Sequence, residues 1–190
     1  LAYCYEFGVN VPQDQKKSLE LYEKAAQAGL PIAQLKYGDA IAEGRVPGKG
    51  FDDAMKLYLE SARGNCPEAI HRLGMLAKDG VGMEKNPKLA ADSFYAAARH
   101  GHAASQFRLA EYFLMDDGPF PKDEAAAFYW FESAAKQGYA PAQRMTAICL
   151  GKGIGCERNG LKASQWLQAA AENGDMEAIQ MIDALRRMGR

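Results

Sequence analysis

The segment Ala69–Gly101, AIHRLGMLAKDGVGMEKNPKLAADSFYAAARHG, reads as two helices joined by a glycine loop, and nearly the whole chain is built from copies of it. Its closing Gly101 has counterparts at Gly29, Asn65, Gly138 and Gly174, so the steps between copies are 36, 36, 37 and 36 residues. Self-similarity at this period means stacked supersecondary units, each burying its apolar face against its neighbours.

The second helix of each copy, B, is bracketed by its own signals. Gly and Asn at the closing column are the residues that most readily take the left-handed conformation that ends a helix. Fifteen positions earlier stand Asp14, Gly50, Asn86, Asp123 and Asn159, all favoured N-caps, and Pro87 follows Asn86 at the first helical position, where its missing N–H costs nothing. About fourteen residues lie between, roughly 21 Å of helix. Within it Ser18, Leu21, Tyr22 and Ala25, then Ala54, Leu57, Tyr58 and Ser61, recur at three- and four-residue spacing with Lys and Glu between them. Trp130 with Phe131 and Trp166 with Leu167 hold the same columns, and the pairs Ala25–Ala26, Ser61–Ala62, Ala97–Ala98, Ala134–Ala135 and Ala170–Ala171 mark close packing. This is a core-facing stripe.

A first helix, A, precedes each B, opening at Ala33, Ala69, Ser105 and Ala142 and closing near Gly44, Gly80, Gly118 and Gly153. A large residue followed by a small one sits in its interior: Tyr37–Gly38, Leu73–Gly74, Leu109–Ala110, Thr146–Ala147. The small member lets backbones approach, and the unit is an antiparallel helical hairpin.

The order Ala, Leu-Gly, a Gly-x-Gly-Val loop, Ala, an aromatic and Ala-Ala before Gly resembles the Sel1-like repeat, a relative of the tetratricopeptide repeat. The clearest copy carries it as Ala69, Leu73, Gly74, Gly80, Val81, Gly82, Ala90, Phe94, Ala97, Ala98 and Gly101. The resemblance implies an all-α fold, an α/α right-handed superhelical solenoid of antiparallel helix pairs. On this reading residues 1–29 are a truncated first repeat, 30–65, 66–101, 102–138 and 139–174 are repeats two to five, and 175–190 form a terminal capping helix. Leu1 and Ala2 fall on the Leu-Gly columns, so the sequence is expected to start inside a repeat, as a fragment. Repeat four has extra residues before Gly118, and the stretch from Leu114 to Phe120 is expected to bulge.

Composition fits an ordinary helical-repeat domain: 48% hydrophobic, 25% charged, formal net charge −1. No basic stripe suited to phosphates and no run of eighteen apolar residues is present, so neither nucleic-acid binding nor membrane insertion is expected. Some cysteine-rich Sel1-like proteins carry disulfides between cysteines seven residues apart; the columns concerned hold Ala26/Ala33, Ala62/Ala69, Ala98/Ser105, Ala135/Ala142 and Ala171/Ala178. The four cysteines sit elsewhere, at Cys4, Cys66, Cys149 and Cys156, leaving open a Cys149–Cys156 pair across the fifth loop or two separate thiols. The compartment, bacterial cytoplasm or periplasm, stays open with them.

Signals for chemistry are thin. Gly151-Lys-Gly-Ile-Gly155 lacks the spacing of a phosphate loop and falls where every copy has its A–B connection. His100 and His102 flank Gly101 at a helix end, where a histidine can meet the last carbonyls, and no further ligands stand at metal-site spacing. Asp116 and Asp117 form a carboxylate pair in the irregular loop, which makes a ligand or enzymatic site there the competing reading. No cofactor is expected. Function then falls to the surface: in tetratricopeptide-like arrays the A helices line the concave face. Positions two residues from the packed Leu column lie about 200° away on the helix, which selects Leu35, His71, Phe107 and Arg144 in one row and Tyr3, Asp39, Met75, Glu111 and Ile148 in the next. Large apolar side chains on an outward row predict a groove for a protein or peptide partner, with burial by adjacent helices as the alternative. The expected function is a non-catalytic scaffold or adaptor.

Overall fold

The computed structural model describes residues 1–188, which hold eleven helices and, among the described residues, no strand. They are α1 (Ala2–Phe7), α2 (Gln15–Gln27), α3 (Pro31–Ala42), α4 (Phe51–Arg63), α5 (Pro67–Asp79), α6 (Pro87–Arg99), α7 (Ala103–Leu114), α8 (Glu124–Lys136), α9 (Ala140–Lys152), α10 (Gly160–Glu172) and α11 (Met176–Met188). Odd-numbered helices are A, even-numbered ones B. Two compact units are present, Leu1–Ser93 and Phe94 onward, the division falling inside α6.

The B helices start and stop where the sequence places them. Side chains of Asp14, Asn86, Asp123 and Asn159 accept from the backbone N–H three residues on, each at 2.9 Å, a cap worth about 1 kcal/mol. Gly50 has no side chain to offer, and α4 is closed from the other side: the Asp53 carboxylate accepts from the Gly50 N–H at 3.0 Å. Gly29, Gly101, Gly138 and Gly174 close their helices at φ between 81° and 86°, and Asn65 does so at 57°.

The A helices differ from expectation at both ends. Their first residues are Pro31, Pro67, Ala103 and Ala140, two before the small residues at which the pattern alone starts them; proline at N1 accounts for α3 and α5. At the other end α7 stops at Leu114, with Met115 extended at φ −75° and ψ 133°, and Gly118 is not its closing residue. Asp116 and Asp117 disfavour another helical turn, and the ring of Phe120 stacks on Phe113 at 5.3 Å, which draws the chain out into the expected bulge.

In three of the other A–B loops a backbone bond sets the turn. The N–H of Asp14, Asn86 and Asn159 reaches back nine residues to Tyr5, Ala77 and Leu150 at 2.8 to 2.9 Å, and in the bulged copy Asp123 reaches ten, to Phe113. Gly153 and Gly155 both take positive φ, 76° and 66°, and Gly155 backs onto the Glu124 backbone so closely that a Cβ has no room. That contact fixes the fifth loop against the start of α8.

Within the first unit Tyr22, Tyr37, Ala54, Tyr58 and Ala69 form the core; within the second it is Phe107, Ala110, Phe131, Ala134, Ala142 and Cys149, with Leu167, Ala170 and Ala178 beyond. Buried polar atoms are satisfied throughout the described residues, for example Ser61, whose hydroxyl donates to the Pro31 carbonyl at 2.6 Å.

Candidate functional site

The two outward rows chosen from the A helices do not form one kind of surface. Leu35 and Phe107 are buried, at 4% and 8% exposure. Leu35 belongs to the first unit's core, because α3 is enclosed by α2, α4 and also α5. Phe107 lies 5.5 Å from both Phe131 and Tyr139, ring to ring. Placing either on an open face is therefore corrected. Asp39 accepts from the Tyr58 hydroxyl at 2.9 Å and pairs with Arg72 at 3.0 Å, which ties α3 to α4 and α5. Arg144 donates through Nε to both Asp175 oxygens at 3.0 and 3.1 Å and pairs with Glu177 at 2.9 Å, so α9 is docked to the start of α11. Glu111 pairs with Arg108 on its own helix at 2.9 Å. Tyr3 is exposed, and His71, Met75 and Ile148 are half-buried. These four, on an A-helix face of their own unit, keep surface to offer.

The side formed by the B helices carries features that the sequence pattern misses. In the first unit a cleft of about 340 Å³ opens between α2 and α4, floored by α3. Gln34, Tyr37 and Ile41 recur at helical spacing on its floor, on a different side of α3 from Leu35 and Asp39. The Tyr37 hydroxyl donates to Glu23 at 2.7 Å, Lys49 Nζ donates to the same carboxylate oxygen at 3.1 Å, and that ammonium stands 4.7 Å from the centre of the Tyr37 ring. The Tyr37 hydrogen bond, then that of Lys49, holds the Glu23 carboxyl below the usual carboxylate range. Burial, then the bond to Glu23, pushes the Tyr37 phenol up. At the far wall Gln34 donates to Glu60 at 3.1 Å.

A second cleft, about 410 Å³, lies on the other side of the Glu23–Tyr37 pair and is lined by Leu19, Val46 and Pro47. The second unit has a related cleft of about 290 Å³ between α8 and α10, lined by Phe128, Glu132, Arg158, Lys162 and Trp166. The one signal for the first-unit site was Tyr37 itself, a hydroxyl-bearing ring in a column otherwise held by Leu73, Leu109 and Thr146.

The remaining candidates resolve into structure. Gly153 caps α9 in the left-handed region, with its N–H on the Cys149 carbonyl at 2.7 Å, so the glycine-rich run is a turn. His102 caps α7, its Nδ1 accepting from the Ser105 N–H at 3.2 Å. Asp116 is exposed and held by Lys122 at 2.7 Å, and Asp117 is exposed beside it. All four cysteines are free thiols; burial, followed by the nearby Cys156, pushes the Cys149 thiol up to about 11.

Five matches to the model of the Sel1 repeat cover residues 1–30, 31–66, 67–102, 103–139 and 140–175. The chain is 30% identical over 164 residues to the chitin synthase regulator SKT5 of Saccharomyces cerevisiae, a match spanning 84% of this chain and 23% of that protein. Among solved structures it is similar to a Sel1 repeat protein from Oxalobacter formigenes, with TM-score 0.83, 26% identity, and coverage of 100% of this chain and 75% of that one. It is similar too to c5321, a protective antigen of uropathogenic Escherichia coli, with TM-score 0.61 and 26% identity over 100% of this chain and 48% of that one.

Proposed function

We propose that this chain, which belongs to the Sel1 repeat family, is a non-catalytic scaffold that holds a protein or peptide partner on the faces its helix pairs leave open. Sel1 repeats generally mediate protein–protein interaction, and the yeast relative is named a regulator, a role that belongs to a protein of which this chain matches 23%. What supports the reading most is how the reactive groups are used. Glu6, Asp39 and Asp175 are each engaged by a tyrosine or arginine from another helix, so they hold the array together rather than converge on a substrate. Left over are open clefts and partly exposed apolar side chains, surfaces of the kind that macromolecules cover.

On the A side the binding face is Tyr3, His71 and Met75 in the first unit, with Ile148 as its counterpart in the second. Met75→Arg in the full-length protein is expected to remove the captured native partner, with the melting temperature changed little because Met75 is only half-buried. Leu161→Arg, at a 73% exposed position on a B helix, serves as the control. Full retention of the partner by Met75→Arg overturns the A-face assignment.

A further inference from the structure

We propose that the Glu23–Tyr37 pair of the first unit is a subsite for a lysine or arginine side chain of a partner peptide, and that the chain's own Lys49 plugs it. The inference rests on the scaffold reading and names a second docking place within it.

A carboxylate beside an aromatic face is the environment that an alkylammonium group seeks, since ion pairing and the ring quadrupole act on the same charge. Lys49 already demonstrates the fit: its Nζ is 3.1 Å from Glu23 and 4.7 Å from the Tyr37 ring centre. Tyr37 is locked in place by its own bond to Glu23 at 2.7 Å, so the receptor half of the contact is preorganised. The plug is not. Lys49 stands between Gly48 and Gly50 in the loop from α3 to α4, and a Cβ built at either glycine meets nothing within 4 Å. Gly50 is held to α4 by Asp53, so the part that moves is the Lys49 side chain, and its ion pair with Glu23, with both side chains 37% exposed, is of the solvent-screened kind that costs little to open.

Charge points the same way. With Lys49 withdrawn, the cleft presents Glu23, Asp53 and Glu60 against Lys56 alone, and Lys56 is itself 3.7 Å from Asp53. Three carboxylates against one ammonium leave a net of two negative charges facing a cationic visitor. Glu23 and Tyr37 also line the second cleft, whose other walls are Leu19, Val46 and Pro47 together with Glu20 and two cations, Lys16 and Arg45, that disfavour a second basic residue there. The occupant is therefore a peptide whose basic residue is flanked by apolar ones, the charge replacing Lys49 and an apolar neighbour resting on Leu19 and Val46.

The test uses fluorescence anisotropy of a labelled peptide with one central lysine between leucines, against the same peptide with norleucine at the centre, on the whole chain. Expected are binding of the lysine peptide in preference to the norleucine peptide, a gain of at least threefold for Lys49→Ala, and a loss of at least tenfold for Glu23→Gln. Equal binding of the two peptides, or weaker binding by Lys49→Ala, overturns the proposal. So does a Lys49→Ala protein that sediments as a dimer, which assigns the cleft to a second copy. Thermal melting of Glu23→Gln within a few degrees of the parent keeps its loss of binding a statement about the subsite, and Tyr37→Phe gives a second variant that retains the ring. Met75→Arg is expected to leave peptide binding unchanged, so failure here and failure of the A-face assignment read out separately.

Discussion

The two units use the same columns of the repeat with opposite chemistry. In the B-helix column that carries the largest buried side chain, the first unit places Tyr22 and Tyr58, whose hydroxyls donate to Glu6 and Asp39 at 2.9 Å each. The second places Phe94, Phe131 and Leu167, with no polar atom to satisfy. A second column reverses the pattern. In the second unit Gln106 and Gln143 donate to the carbonyls of Ala98 and Ala135 at 3.2 Å and accept from Gln137 and Asn173 at 2.8 and 2.9 Å, an amide ladder from one B helix to the next. In the first unit the positions of Gln137 and Asn173 are held by Ala28 and Gly64, which have no amide to give, and Gln34 turns to Glu60. One backbone plan thus tolerates either a polar core column with charged acceptors or an apolar one with an amide ladder.

The sharpest way to break this comparison is to truncate the same column in each unit. Phe131→Ala removes a fully buried ring and is expected to cost about 3–5 kcal/mol in urea denaturation. Tyr58→Phe keeps the ring and deletes only the hydroxyl; Asp39 retains Arg72, so about 1–2 kcal/mol is expected. Equal losses for the two substitutions would mean that the hydroxyl–carboxylate bond, not ring packing, carries the first unit.

The glycines give a second contrast, within one unit. Gly101 has a φ of 84° and open space around a Cβ, so Gly101→Ala meets only the left-handed backbone penalty, about 1 kcal/mol. Gly155 has a φ of 66° and the Glu124 backbone against it, so Gly155→Ala adds a displacement of the loop from α8 and is expected to lose at least about 2 kcal/mol. Comparable melting temperatures for the two variants would remove the loop–α8 contact from the account of how the fifth repeat is held.

Helix pairs and the boundaries of the B helices were legible because caps and left-handed residues are local: Asp14, Asn86, Asp123 and Asn159 need only the next three residues to act. The fourth loop was legible as an insertion but not as a path, since Phe120 stacking on Phe113 is a contact between loop and helix. The outward rows failed at Leu35 and Phe107 for a different reason. A rotation of about 200° from the core column points away from the core only when a helix has one buried side, and α3 is enclosed by three neighbours. The Glu23 cleft left only Tyr37 as a signal because its parts come from α2, α3, α4 and the loop between the last two, at unrelated positions of the repeat. Pattern reading finds what recurs, and the pairing of Glu23 with Tyr37 is not repeated in the matching columns of the other copies.

Alkaline pH separates the units without mutation. Burial, reinforced by Glu6 for Tyr22, Glu23 for Tyr37 and Asp39 for Tyr58, raises all three phenols, and all three belong to the first unit. A phenol whose folded value lies above its unfolded one contributes stability that is complete below the ordinary tyrosine range and is lost as pH climbs through the folded value. Spectrophotometric titration is then expected to show Tyr22, Tyr37 and Tyr58 ionising late, and Tyr58→Phe to shrink that late phase by one. Amide exchange in α2 to α4 is expected to accelerate at a lower pH than exchange in α8 to α10, where apolar Phe131 and Leu167 hold the same column. A single titration wave from a protein that remains folded, or simultaneous loss of protection in both sets of helices, would mean that the tyrosine–carboxylate bonds contribute no more to the first unit than its apolar contacts do.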